Sequence, residues 1–143
     1  MTQRAVKRIG IYLIGTKERG ILCKPDKNKG LECYVDADFA GGWDRGDSEN
    51  PENVISRTGY VIRYAGCLII WCSKLQTEVA LSTTDAEYIV LSQSMREVIP
   101  IIHLMDELKP LLDFYNPTPE IRCKLFKDNR SCIIVAESAR LTL

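Results

Sequence analysis

The segment LSTTDAEYIVL, residues 81–91, constrains the chain more than any other stretch. Ser82 is a favourable helix N-cap, and Asp85 three residues later approximates a capping box at the positive end of a helix. The apolar pattern predicts a helix as far as Pro100, with a kink if the helix continues beyond it. Glu87 heads the apolar stripe of this helix, which is formed by Val90, Leu91, Ser94, Met95 and Val98.

A carboxylate at the head of an apolar stripe must either be paired or reach solvent. Facing a core costs it on the order of several kcal/mol unless it is paired, protonated or bound to a metal. One interpretation places Glu87 at the edge of the stripe, with its carboxylate in solvent. The other makes Glu87 part of an acidic site.

Two further acids support an acidic site, because each closes an apolar run that predicts a strand. Asp36 ends the run LECYVD, and Asp128 ends the run IRCKLFKD. Asp is disfavoured in strands, although one such Asp is commonly a turn or cap residue. Three acids in the order strand, helix, strand form a more specific pattern.

The remaining elements predict an α/β fold with a mixed sheet flanked by helices. A helix is predicted over residues 5–16, a short edge strand over 21–23 and a loop over 41–55. Two strands, 57–65 and 67–73, form a hairpin that turns near Gly66. The strands of Asp36 and Asp128 are expected side by side and parallel, with the long helix as their crossover. A final helix is predicted over residues 131–140.

Composition indicates one globular domain. The 143 residues are 45% hydrophobic and 27% charged, with zero net charge, so no global electrostatic attraction to nucleic acid is expected. Six cysteines without a C-x-x-C pair, and the single histidine His103, argue against zinc and for a reducing, intracellular environment. No apolar run approaches the roughly 20 residues of a membrane span, so no membrane association is predicted.

Several motifs together carry a family resemblance: YVDADFAG, SRTGYVI, IIWCSKLQTEVALSTTDAEY and KDNRS. In this order they resemble the ribonuclease H domain of copia-type retrotransposon polyproteins, from residue 31 to the C-terminus. Residues 1–30 resemble part of the connection that precedes that domain. The resemblance implies a ribonuclease H-like fold and cleavage of the RNA strand of RNA–DNA hybrids during reverse transcription. It also implies a cytoplasmic retrotransposon particle, with the rest of the reverse transcriptase polyprotein as partner.

The resemblance further implies a catalytic, metal-binding set of Asp36, Glu87 and Asp128. Carboxylates suit Mg²⁺ or Mn²⁺, and a two-ion site holds its ions about 3.5–4 Å apart. Asp38 shares a strand face with Asp36, so the pattern cannot choose between them. Asp85 is a weaker rival of Glu87, because two helical residues turn through about 200°.

Residues around these acids are candidate substrate contacts. Ser73, Lys74, Gln76 and Asn129 are predicted to bind substrate, with Lys74 and Gln76 on phosphate and sugar hydroxyls. A solvated loop is the alternative for Lys74 and Gln76, and capping of the last helix is favoured for Asn129. Trp71 is expected to pack in the core.

One feature of the family is missing. A fourth acid lies in a C-terminal helix beyond a basic motif, and the sequence stops at Leu143 before either. Residues 31–143 are therefore expected to form a domain without that helix, with a weak second ion and slow or absent cleavage. The alternative is a catalytically silent nucleic-acid-binding or structural remnant of the polyprotein.

Overall fold

A computed structural model describes residues 3–42, 51–110 and 122–138. Helix α1 spans Gln3–Thr16, and strand β1 spans Leu31–Asp38. Strands β2, Arg57–Tyr64, and β3, Cys67–Leu75, follow a short 3₁₀ helix at Pro51–Val54. The remaining elements are helix α2, Thr83–Leu108, strand β4, Cys123–Phe126, and helix α3, Arg130–Ser138.

The four strands form one mixed sheet in the order β3-β2-β1-β4. β1 and β3 both run antiparallel to β2, while β1 and β4 are parallel neighbours. The predicted hairpin is confirmed, and its turn residues Ala65 and Gly66 have φ angles of 51° and 80°. Two successive positive φ values match the twist of the flanking strands, which is why a glycine suits this turn.

The core lies between one face of the sheet and α2. β1 alternates buried and more exposed residues, as expected for a strand covered on one face. Val90 and Val98 of α2, which belong to the predicted apolar stripe, pack on this face. The sheet contributes Leu31, Cys33, Val35, Tyr60 and Ile62 to the same cluster.

The crossover prediction is also confirmed. The parallel strands β1 and β4 are connected through the hairpin and α2, and α2 contacts β1, β2 and α3. Ser82 is the N-cap of α2, and the helix continues through Pro100 to Leu108, so the proline does not end it.

The N-terminal segment differs from its prediction. Residues 20–26 have no strand conformation, so the edge strand predicted over 21–23 is wrong. Ile21 and Leu22 are exposed, and α1 buries none of its residues. Most of the loop predicted over 41–55 lies outside the described residues. Within those residues, no helix is both long and apolar enough to cross a bilayer.

Candidate metal centre

The three sequence-predicted acids converge at one edge of the sheet. One carboxylate oxygen from each of Asp36, Glu87 and Asp128 lies within 4.8 Å of the others. Asp36 is near the end of β1, and Asp128 follows the end of β4, so parallel pairing brings both acids to the same edge. Glu87 reaches that edge from the second turn of α2, which packs on β1. Their predicted proximity is therefore confirmed.

Geometry separates Asp36 from Asp38, which the sequence could not. Among the described residues, Asp38 is not part of the group of convergent acids. It lines a different groove, of about 310 Å³, together with Arg57 and Gly41. Asp36 is therefore the acid of β1 that belongs to the candidate centre.

Asp85 has a structural role instead. Its Oδ2 accepts a hydrogen bond of 2.9 Å from the backbone nitrogen of Leu81. Its own backbone nitrogen donates a 3.1 Å hydrogen bond to Ser82 Oγ. This reciprocal capping fixes the start of α2, and with it the position of Glu87 two residues later.

Lys127 is the residue of the centre that sequence reasoning missed. Its Nζ contacts Glu87 Oε2, lies 3.1 Å from Asp128 Oδ1 and donates a 3.4 Å hydrogen bond to the Val35 carbonyl oxygen. The side chains of Lys127 and Glu87 are only 2% and 9% exposed. Strand alternation could have revealed it, because Lys127 continues the face of Cys123 and Leu125, which points toward α2.

Burial and charge act in opposite directions on the titration of these groups. Burial raises the pKa of Glu87 above its usual value, although the Lys127 ammonium partly opposes that shift. Burial alone would lower the pKa of Lys127, but its interactions with Glu87 and Asp128 outweigh burial and raise that pKa. The same ammonium lowers the pKa of the exposed Asp128. The Lys127 ammonium is therefore coupled electrostatically to both Glu87 and Asp128.

The donor set fits a hard divalent cation. Three carboxylates from three elements supply oxygen ligands, which Mg²⁺ and Mn²⁺ prefer. Glu87 Oε2 is buried and has no hydrogen bond of ordinary geometry, although it touches the ammonium. A buried carboxylate oxygen in this position is suited to a cation more than to solvent.

A shallow groove of about 420 Å³ opens beside the acids and gives access to them. Its walls include Asp36, Lys127 and Asp128. Tyr34 and Phe126 line it too, with their rings stacked at a centroid distance of 4.5 Å and an angle of 7°. A flat aromatic pair next to carboxylates offers a surface on which a base or sugar can pack.

The four predicted substrate contacts lie in different settings. Ser73 and Lys74 are exposed on β3, where a ligand could reach them. Gln76 is 3% exposed and donates a 2.9 Å hydrogen bond from Nε2 to the Ala86 carbonyl oxygen, so the solvated-loop alternative is wrong for it. Asn129 Oδ1 accepts a 2.9 Å hydrogen bond from the Cys132 backbone nitrogen, which confirms capping of α3. Substrate binding by all four stays a prediction.

Trp71 contradicts its expected core position. Its side chain is 67% exposed on the sheet face opposite the core. The paired residues Phe126, Tyr34, Val61 and Trp71 form a row across all four strands, and each is exposed. The sheet is thus covered by α2 on one face, while this row lies on the other.

Comparison with known proteins identifies where such a segment occurs. Over 104 residues, 73% of its length, the chain is 42% identical to the Retrovirus-related Pol polyprotein from transposon TNT 1-94 of Nicotiana tabacum. Over 104 residues it is 36% identical to the Pol polyprotein from transposon RE2 of Arabidopsis thaliana. The chain is homologous to a segment of transposon Pol polyproteins. The match spans 7% of the length of each polyprotein.

The Pol segment has a further relative of a different kind. It is 34% identical over 96 residues to Secreted RxLR effector protein 161 of Plasmopara viticola, which covers 67% of the chain and 62% of that protein. No family model matches the chain. No solved structure gives a significant match. Homology therefore indicates a polyprotein origin, and the chemistry has to be argued from the site.

Proposed function

We propose that this Pol segment is a ribonuclease H-like domain that hydrolyses the RNA strand of RNA–DNA hybrids with divalent cations during retrotransposon reverse transcription. The observation that carries the proposal is the convergence of Asp36, Glu87 and Asp128 within 4.8 Å. These acids come from β1, from α2 and from the segment after β4, so the fold brings together residues that are distant in sequence. The mixed sheet, with its antiparallel hairpin and parallel β1–β4 pair, supports a ribonuclease H-like fold.

The acids would bind the metal ions, and neighbouring residues position Glu87. Asp36, Glu87 and Asp128 would together hold the Mg²⁺ or Mn²⁺ ions. Ions held there would supply a hydroxide nucleophile and would stabilise the leaving oxygen of the phosphodiester. Gln76 holds the Glu87 turn of α2 against the end of β3, through its hydrogen bond to Ala86. The caps at Ser82 and Asp85 fix the same turn, so Glu87 is held on a rigid base.

Hybrid binding would use the exposed surface beside the acids. Lys74 can place a positive charge near the nucleic-acid backbone, and Ser73 can hydrogen-bond to a phosphate or a sugar hydroxyl. In the polyprotein, other segments would supply additional contacts to the hybrid. The cytoplasmic retrotransposon particle is the setting this activity implies.

One observation favours a second candidate, a catalytically silent nucleic-acid-binding or structural unit of the polyprotein. The Lys127 ammonium already lies among the acids, where it contacts Glu87 and Asp128. A site that is permanently satisfied by lysine would have no need of a metal. The two candidates differ in whether Mg²⁺ enters the site.

A cleavage assay on end-labelled RNA–DNA hybrid, with Mg²⁺, with Mn²⁺ and with EDTA, tests the proposal. Slow cleavage that requires the cation is expected, and Asp36→Asn should abolish it because the amide lacks the charge that binds metal. Asp38→Asn is the matched control, since it makes the same change two residues away outside the centre, and should retain cleavage. Absence of cleavage with either cation would favour the silent candidate, whereas full activity of Asp36→Asn would show that cleavage does not depend on this centre.

A further inference from the structure

The side-chain ammonium of Lys127 lies within the acidic centre. Lys127 is the residue directly before Asp128, and its Nζ lies 3.1 Å from Asp128 Oδ1 and in contact with Glu87 Oε2. Its side chain is 2% exposed, so these interactions are shielded from solvent. The two carboxylates that Lys127 touches are two of the three that converge as candidate metal ligands.

We propose that Lys127 is an internal counter-ion that competes with the divalent cation for the carboxylates of this centre, so that metal loading requires the ammonium to withdraw. The proposal rests on the proposed function for the identity of the site. It goes beyond that function because it makes a residue outside the acidic set the determinant of metal affinity.

Competition follows from the shared oxygens. An ammonium that occupies Glu87 Oε2 and Asp128 Oδ1 leaves those atoms unable to coordinate a metal at full strength. Two cations held a few ångströms apart in a poorly solvated site also repel each other strongly. The ammonium and the metal therefore exclude one another, and the affinity for metal is reduced by the free energy needed to move Lys127.

The structure also provides a route for withdrawal. Lys127 lines the groove that it shares with Tyr34, Phe126 and Asp36, which is open to solvent. Lysine has a long flexible stem and a point charge that needs no fixed plane of contacts. Its remaining contact, with the Val35 carbonyl oxygen at 3.4 Å, is long for a hydrogen bond. Movement into the groove would therefore break this long hydrogen bond and the two ion pairs that the metal replaces.

In the metal-free protein, the Lys127 ammonium stabilises the buried carboxylate of Glu87. Glu87 is buried, and an uncompensated carboxylate in that position would be costly. Lys127 supplies the compensating charge in the metal-free protein. Removing that charge should therefore have opposite effects in the two states: a less stable metal-free fold and tighter metal binding.

A Mn²⁺ titration followed by calorimetry, on the 143-residue chain, tests the competition. Lys127→Met keeps the length of the stem and removes the charge, and should bind Mn²⁺ at least about tenfold more tightly than the parent chain. Lys127→Arg retains the charge and should show no gain. Lys124→Met is the matched control, because it removes an exposed lysine three residues earlier, on β4. Its affinity should stay that of the parent chain.

The outcomes separate this proposal from the proposed function. Equal affinities of Lys127→Met and the parent chain, with loss of binding in Asp36→Asn, would overturn the counter-ion role and leave the metal site standing. No Mn²⁺ binding by either chain would overturn both. Thermal melting of the same proteins should show Lys127→Met to be less stable without Mn²⁺ and to gain more from it than the parent chain.

If Lys127→Met does not fold, the parent chain itself provides the test. Nuclear magnetic resonance of its lysine side chains should show a protected Lys127 ammonium without metal, because the group is buried and bonded. Saturating Mg²⁺ should abolish that protection as the ammonium moves into the groove. Persistence of the protected signal when the site is saturated would overturn the proposal.

Discussion

Gln76 Nε2 donates a 2.9 Å hydrogen bond to the carbonyl oxygen of Ala86, the residue directly before Glu87. Gln76 lies just beyond β3, and its backbone nitrogen also donates a 2.8 Å hydrogen bond to the Ser56 carbonyl oxygen. One buried side chain thus connects the end of the hairpin to the turn of α2 that presents the central acid. The position of Glu87 depends on this connection as well as on the N-cap.

Truncation of Gln76 should therefore destabilise the fold. Gln76→Ala removes a buried hydrogen bond and leaves a small cavity, which together should lower the free energy of unfolding by about 1–3 kcal/mol. Lys74→Ala, at an exposed position on β3, should change it by less than about 0.5 kcal/mol. Urea unfolding of both variants measures the difference. Equal effects would mean that the connection to Ala86 contributes nothing.

The exposure of Trp71 leads to a second prediction. Trp71→Thr should change the free energy of unfolding by no more than about 0.5 kcal/mol, because the ring is mostly in solvent and Thr suits a strand. Ile62→Ala, at a fully buried position on the neighbouring strand, should cost about 2–5 kcal/mol. A large loss on replacing Trp71 would show that it is covered in solution.

The pH dependence of Glu87 provides a third prediction. Its pKa is raised chiefly by burial, so the carboxyl should titrate above its ordinary value of 4.5 in carbon-detected resonance spectra of the metal-free chain. A raised pKa in the folded state means that this group stabilises the fold below 4.5 and loses that contribution as pH rises through the folded pKa. The stability that Glu87 contributes should therefore fall as the pH rises above 4.5.

Replacement of Lys127 provides a control for the titration of Glu87. Its ammonium lowers the pKa of Glu87, so Lys127→Met should move the titration to still higher pH. Lys124→Met should leave it unchanged. A midpoint at or below 4.5 in the parent chain would contradict the burial of Glu87 in a poorly solvated site.

Periodicity indicates the candidate acids, and the family resemblance is what groups Asp36, Glu87 and Asp128 into one site. Glu87 interrupts a helical stripe, and Asp36 and Asp128 each end an apolar strand, so each breaks a pattern that burial imposes. The parallel pairing of the two strands followed from the long helix between them. Asp36 and Asp38 could not be separated, because residues two apart share a face and only the distance to Glu87 distinguishes them.

Three features depend on contacts between residues that are distant in sequence, so local patterns do not predict them: the position of Lys127, the exposure of Trp71 and the absence of a strand at residues 21–23. Lys127 directly follows a strand, and nothing in the local sequence indicates that Glu87, 40 residues away in the chain, contacts it. Core packing is the expectation for Trp71, but hydrophobicity does not say which face of a sheet is covered. The residues 21–23 have strand-like composition, yet a strand requires a hydrogen-bonded partner, and the described sheet offers them none.

The most direct test of the central claim is diffraction from crystals of the chain grown with Mn²⁺, recorded at the manganese absorption edge. The account predicts an anomalous peak within coordination distance of Asp36, Glu87 and Asp128, with the Lys127 ammonium moved out of the centre. Asp36→Asn crystals grown in the same way should lack that peak. Lys127 still between Glu87 and Asp128 at saturating Mn²⁺, with no peak near these acids, would contradict the account.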